Sequence, residues 1–473
     1  MSLLAVAGAN SASGAYDIDN SLKFESNNSE KLYYTLSGNG DLQQMSFSCW
    51  VKRTELGSEQ AIFTGRLGAS GEFGRLIFSP SDTIQFWMRD SGNITLVQLY
   101  TNRVFRDTSA WYHIVFGIDT TQSTAADRVN LYINGVKETS FSSETYPTLN
   151  ANLNGGFNRS TFNHVLGVEE ANNTYFNGYI AEAHFVDGQQ LAASDFGDFD
   201  SATGIWKPKA YTGSYGTKGF YLDFESSGSL GADSSGNGNN FTLNNITSAD
   251  QATDTPTNNF CTLNPLSAIY GSITYTQGAT DGYASVADSL TEGTIGFTNG
   301  KWYYEIVMPS ESGNPNANMM MGFGRPNFWS SSGDTYNFAY NRTGVVFYNG
   351  TTTGGYSGWV KDDVVMLAID ADNGFAYFGV NGTWGLSADP TSGATGTGGF
   401  NYDSLVTNMS IGDLLIPTLK LGNAGNIFEV NFGGFTGFPI ASGNTDENGY
   451  GNFEYAPPSG YYALCSKNLA EFG

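Results

Sequence analysis

Apolar and polar residues alternate in short runs along most of this chain, and Gly, Asn, Asp or Ser interrupts each run. In LYINGV, Leu131 and Ile133 fall on one face and Tyr132 and Asn134 on the other, the two-residue period of a half-buried strand. Strands of this kind are expected in quick succession from Tyr16 to Trp206, among them MSFSCWVKR, AIFTGR, IQFWMRD, WYHIVFGID and NGYIAEAHFVDG. A second series opens after Leu263 with SITYTQG, KWYYEIVM, MMMGFGR, GVVFYNG, VVMLAID, AYFGVNG, LIPTLKL and FEVNFGG. No stretch keeps a 3.6-residue apolar period long enough to predict an amphipathic helix.

One phrase occurs in both series. AWYHIVFGID leads through a polar turn to RVNLYINGV, and GWVKDDVVMLAID leads through ADNG to FAYFGVNG. Each ends in Asn-Gly between alternating hydrophobics, which predicts a type I′ hairpin because both residues tolerate positive φ. The repeat predicts an all-β chain of two β-sandwich domains of jelly-roll type in tandem. The expected boundaries are an N-terminal anchor segment at 1–15, a first sandwich at 16–206, a Gly/Ser/Asn-rich connector at 207–262, and a second sandwich with a C-terminal extension at 263–473.

Composition narrows the picture. The 473 residues suit two cores. Gly is abundant at 60 residues, and charged residues reach only 14% against about 25% in ordinary domains, as expected of short strands and many turns. Net charge is −24, which disfavours nucleic acid as a partner. Cys49, Cys261 and Cys465 are odd in number and sit in apolar surroundings, so they read as buried small hydrophobes. No segment has the ~20 apolar residues of a membrane helix. The N-terminal run LLAVAGA lacks the preceding positive charge of a secretory signal.

The series MSFSCWVKR, AWYHIVFGIDTTQS, RVNLYINGV and YFNGYIAEAHFVDGQQL resembles the laminin-G-like branch of the concanavalin A-like sandwiches over about residues 16–200. KWYYEIVM, MGFG, SGWVKDDVVMLAIDADNGFAYFGVNGTW, IPTLKLG and FEVNFGG resemble a SPRY domain over about 265–435. The tandem, with DTPTNNF and the ending PPSGYYALCSKNL, resembles structural proteins of marine tailed bacteriophages, especially cyanophages. That resemblance implies a non-enzymatic virion protein, a tail fibre or tail-associated adhesin for host attachment, assembled in the host cytoplasm and released by lysis. Implied partners are other virion proteins, further copies of the chain, and a host-surface glycan or receptor, without membrane insertion. The alternative is a capsid or tail decoration protein that contacts mainly its own particle.

Candidate chemistry is sparse. His113, His164 and His184 lack a paired nucleophile motif or metal spacing. The Glu-x-Asp-x-x-Glu strand of glycosidases in this fold is missing, which weighs against a glycan-degrading enzyme. Asp119, Asp127 and Asp233 flank turns and could serve calcium or simply cap those turns, and the sequence leaves this open. No catalytic residue, metal ligand or cofactor is assigned. Ligand binding is expected of loop aromatics that can stack a sugar face: Trp329, Tyr336, Tyr356 and Trp384. Trp50, Trp111, Trp302 and Trp359 lie in apolar strands and are expected in the core.

Overall fold

A computed structural model describes residues 16–473 apart from 67–70, 172, 268–269, 311–318 and 328–334. The expected anchor at 1–15 and Trp329 lie outside the described residues. The described chain is almost wholly strand and turn, and it divides into two compact units between Thr257 and Asn258. Its longest helix is Ser466–Phe472, and among the described residues no helix is long and apolar enough to cross a membrane.

The first unit is a sandwich of two eight-stranded sheets. One runs in the order Val136–Lys137, Val129–Ile133, Tyr112–Asp119, Gln44–Arg53, Gly178–Asp187, Ser21–Phe24, Gln251–Ala252, with Phe220–Leu222 also on Gly178–Asp187. The other contains Thr95–Val104, Thr83–Arg89, Phe73–Phe78, Gln60–Arg66, Asn163–Leu166 and Lys31–Thr35 as consecutive neighbours. Phe47, Phe63, Phe86, Phe116 and Phe157 form a stacked aromatic core between them.

The first sheet is buried on both faces. Its strands Gln44–Arg53 and Gly178–Asp187 have hardly an exposed residue, so a third layer must cover the outer face. Residues 191–215 supply part of it, setting Phe196, Trp206, Tyr211 and Tyr215 against Val115 and Val186.

The stretch 207–262 is therefore not a connector. Up to Thr257 it belongs to the first unit. Phe220–Leu222 pairs with Gly178–Asp187, Thr242–Asn244 with Lys31–Thr35, and Gln251–Ala252 with Ser21–Phe24. Strands of two or three residues are too short to show alternation, so composition alone made them look like a linker. Buried ion pairs hold the segment. Lys23, fully buried, meets Asp250 at 2.7 Å and Glu30 at 3.0 Å. Lys52, also fully buried, meets Asp254 at 2.7 Å, and the indole N–H of Trp111 donates to the same carboxylate at 3.0 Å. Thr257 Oγ1 accepts the backbone N–H of Ile18 at 3.0 Å, so the unit's first and last strands leave side by side.

The second unit packs a nine-stranded sheet on a six-stranded one. Lys301–Ser310 lies between Ile427–Asn431 and Val364–Asp370 in the larger sheet, and Ile416–Leu421 lies between Ser289–Glu292 and Met320–Gly324 in the smaller. Trp302, Tyr304, Phe323, Phe338, Leu367, Ile369 and Phe378 fill the space between them. The outer face of the larger sheet is again covered, here by the C-terminal extension, with Phe453, Tyr461, Ala463 and Cys465 over Tyr303, Met366, Ala368 and Tyr377.

Buried carboxylates fix this layer too. Glu305 accepts the Tyr303 hydroxyl at 2.9 Å and the backbone N–H groups of Glu454 and Tyr455 at 2.9 and 2.7 Å. Asp446 accepts the N–H of Tyr450 and of Ala463, both at 2.9 Å. All three cysteines are free and buried, and Trp50, Trp111, Trp302 and Trp359 are buried as expected.

The repeated phrase has one geometry in both units. Asn134 and Asn381 adopt φ of +47° and +48°, and Gly135 and Gly382 both +80°. Each Asn side-chain carbonyl accepts a backbone N–H of the preceding strand, His113 at 2.7 Å and Val364 at 2.9 Å. Each Gly lies under an aromatic ring of the covering layer. A Cβ there would come within 2.2 Å of Trp206 in the first unit and 2.8 Å of Tyr455 in the second.

Two outcomes follow from this packing. Residues 16–257 alone should unfold cooperatively, whereas a chain ending at 206 should not fold, because it removes Asp250 and Asp254, the carboxylates that the buried Lys23 and Lys52 face at 2.7 Å. Within the intact unit, Asp254→Ala should lower the unfolding free energy by about 3–5 kcal/mol, as measured in urea, since it removes the carboxylate that the buried Lys52 ammonium meets at 2.7 Å. In the second unit, burial pushes Glu292 up to about 7 from its ordinary 4.5, while its Oε1 accepts the Asn327 N–H at 2.8 Å. The folded state thus holds a proton that the unfolded chain has released. The associated stability is full below about pH 4.5 and is lost as the pH rises through 7. Glu292→Gln should flatten part of this slope and raise the melting temperature above that of the parent chain at about pH 8. Glu429, also pushed up to about 7, and Glu305, raised by burial, would supply further parts of the slope. Identical pH profiles for variant and parent would remove Glu292 from the account.

Candidate functional site

The first unit gathers its unusual chemistry on the outer face of the strand Gly178–Asp187. The register against Gln44–Arg53 slips between the pairs Ala181↔Trp50 and His184↔Ser48, which is a β-bulge. Glu182 takes the extra position with φ of +52°, a left-handed conformation that costs a residue with a Cβ about 1–2 kcal/mol. The bulge shifts the alternation, so that Glu182 and His184 face outward while Ile180, Ala183 and Phe185 enter the core. Such strain is often found where a side chain must be aimed.

Glu182 is 5% exposed and its carboxylate is the acceptor for three donors. The hydroxyls of Tyr16 and Tyr221 donate to it at 2.7 Å each, and His184 Nε2 lies at 3.2 Å. His184 Nδ1 meets the Tyr215 hydroxyl at 2.8 Å, and the His184 ring stacks on Tyr221 at 4.3 Å. Burial together with the Glu182 charge raises the hydroxyl pKa of Tyr16 and Tyr221. These phenols stay protonated and act as donors. The cluster ties the first described residue, the bulged strand and the segment 215–221 together. Chemically it is a saturated hub.

His113 belongs to a similar arrangement. The Trp206 indole N–H donates to its Nδ1 at 3.0 Å, so Nε2 carries the proton and faces Ser48 Oγ at 2.8 Å. The serine is then an acceptor, and this histidine cannot deprotonate it. Burial lowers the His113 pKa to about 3. His164 is likewise lowered to about 3 by burial among Phe63, Phe157, Phe185 and Phe220. Asp119 accepts the Thr121 N–H at 2.9 Å and hydroxyl at 2.7 Å, and Asp233 accepts the N–H groups of Tyr221, Ser235 and Asn239. Asp127 faces Lys137 at 3.6 Å. The first two side chains close turns with hydrogen bonds. Among the described residues no group of three or more His, Cys, Asp or Glu is placed to hold a metal ion.

Beside the hub, an open pocket of about 290 Å³ is lined by Gln189, Leu191, Asp195, Lys209, Tyr211 and Thr212 among others. The Tyr211 ring connects the two features, lying 5.0 Å from Tyr215 and 6.4 Å from His184. The Tyr211 hydroxyl and the Gln189 amide both donate to the Ser214 carbonyl, at 3.0 and 2.8 Å, which closes the loop around the pocket. Neither the bulge nor this pocket was singled out in the sequence. The one signal was an acidic residue two positions before His184 in an otherwise apolar strand.

Of the loop aromatics expected to bind ligand, Tyr336, Tyr356 and Trp384 are among the described residues, and each is partly or wholly packed into the protein. Tyr356 is a core residue, 8% exposed, with its ring edge-on to Tyr340 at 6.1 Å and Phe378 at 5.5 Å. Burial pushes its hydroxyl up to about 12. The glycine-rich segment around it folds back onto the sheet edge, where Trp359 N–H donates to Arg342 O and the Tyr340 hydroxyl to Ser357 O. Loop composition therefore did not mean exposure. Trp384 is half-buried against the C-terminal layer, edge-on to Tyr303 at 6.4 Å. Tyr336 is half-buried under the Arg325 guanidinium, which sits 5.7 Å from its ring centre.

Residues 19–194 match the family described as the concanavalin A-like lectin/glucanases superfamily. No curated protein matches the sequence. Solved structures similar to this chain include the SPRY domain of human HERC1, at 15% identity and a TM-score of 0.28 over 36% of this chain and 96% of that one. They also include the native heptameric SAP-like pentraxin from Limulus polyphemus, at 12% identity and a TM-score of 0.28 over 38% of this chain and 80% of that one.

Proposed function

We propose that this protein is a non-enzymatic structural component of a tailed-phage particle, a tail fibre or tail-associated adhesin that holds a host-surface glycan or receptor. The phage assignment rests on the sequence resemblance. The observation that carries the binding reading is the contrast between two sets of polar groups in the first unit. Glu182, His113 and His184 are sealed and engaged in holding the outer layer, whereas Asp195, Lys209 and Thr212 line an open pocket on hydrogen-bonded backbone. This contrast supports a binding role over a catalytic one. Residues 1–15 would anchor the chain to the particle, and several copies would act together.

A second reading, a capsid or tail decoration protein, is favoured by the inward packing of Tyr356 and Trp384. That packing takes from the second unit the aromatic rim an adhesin would display. A glycan-degrading enzyme is the reading from another class.

Antibody against the first unit should label intact particles, and the purified chain should compete with particles for adsorption to marine cyanobacterial cells. Labelling without competition would favour decoration, and no labelling would sink both virion readings. Incubation with envelope polysaccharide should release no new reducing ends, and release abolished by one Asp or Glu substitution would establish an enzyme. Tyr356→Ala should act on stability, lowering it by roughly 3–5 kcal/mol as a core truncation does, and leave adsorption by the folded fraction unchanged.

A further inference from the structure

We infer that the pocket at Tyr211 is a saccharide site for one neutral sugar ring carrying vicinal hydroxyls. The inference rests on the adhesin reading and adds the place and the ligand class. Size comes first. About 290 Å³ is at the lower end of the roughly 300–1,000 Å³ of small-molecule pockets, so the site admits a terminal or single ring and not a length of chain.

The stacking surface is built and fixed. Tyr211 packs against Phe196 at 5.1 Å and Tyr215 at 5.0 Å, its hydroxyl is held by Ser214 O, and it is a half-buried residue of the pocket lining. A ring held this way loses little freedom when a flat apolar sugar face settles on it.

The polar groups are complementary to a diol. Asp195 uses Oδ2 to accept the Ala192 N–H at 2.8 Å, and this turn sets the direction of Oδ1. Lys209 donates one ammonium proton to Ser194 O, while its backbone N–H, bonded to Phe196 O at 2.9 Å, fixes the start of the loop. A carboxylate oxygen and an ammonium on one rim, with the Thr212 hydroxyl beside them, offer acceptor and donor together. Neighbouring sugar hydroxyls require that combination, since each donates one hydrogen bond and accepts another. One carboxylate and one ammonium among the lining residues balance in formal charge. The chain's net −24 opposes an anionic sugar at a distance, so the ligand is a neutral one.

The test titrates the full chain with methyl glycosides of neutral hexoses and N-acetylhexosamines, using N-acetylneuraminic acid as the anionic comparison, followed by saturation-transfer NMR. At least one neutral glycoside should bind and the acid should not. Asp195→Asn, which can still accept the Ala192 N–H, and Lys209→Gln, at an exposed position, should each weaken binding by about tenfold or more with unchanged thermal unfolding. If Asp195→Asn fails to fold, Lys209→Gln decides alone. Absence of binding by every neutral glycoside, stronger binding of the acid, or parent-like binding by both variants would overturn the site. Adsorption separates this from the adhesin reading. Variants that bind glycosides like the parent, while the parent chain still competes for adsorption, would refute the site and leave the adhesin standing. Sugar binding without adsorption would do the reverse.

Discussion

In each unit one sheet is buried on both faces, and the rest of the molecule is arranged around that fact. A two-layer sandwich covers a single face of each sheet, so the other must be sealed by chain with no ladder of its own. An irregular layer brings backbone N–H groups into buried surroundings without strand partners, and these need acceptors. Carboxylates serve because one group takes several donors. Asp250 and Asp254 do this from the layer toward Lys23, Lys52 and Trp111, whereas Glu305 does it from the sheet toward Glu454 and Tyr455. A chain with few charged residues thus places several of them in its interior.

The covering layer also decides where function can sit. It seals the titratable side chains of the sheet face, so Glu182, His113 and His184 become parts of the scaffold. It then presents its own outer residues on backbone held from beneath, as at Tyr211 above Phe196, Tyr215 and His184. In the second unit the same kind of layer draws Trp384 inward. Two sandwiches with related hairpins are thereby suited to different contacts.

The Asn-Gly corners show how local and tertiary demands meet in two residues. Positive φ would admit several residue pairs. Asn is further required because its carbonyl reaches the N–H of the adjoining strand, and Gly because Trp206 or Tyr455 lies where a Cβ would be. The phrase recurs because the same corner is built twice.

Strand positions, the all-β class, the hairpin turns and the buried cysteines and tryptophans were legible in the sequence, since each depends on two-residue alternation or on the φ preference of a single residue. The boundary near Thr257 was hidden, because strands as short as Phe220–Leu222 and Gln251–Ala252 carry too few residues to alternate, and their partners lie far away in the chain. The bulge was hidden as well. Strict alternation puts Ile180 with Glu182 and His184, and only pairing against Trp50 and Ser48 inserts the extra residue that separates them. Tyr356 read as exposed because glycines surround it, yet those glycines are what let the segment fold back and bury the ring. Sequence determined which residues could form strands and turns, because those preferences are local. Which face met water was decided only by the layer that covers each sheet, because burial is a property of the assembled neighbours.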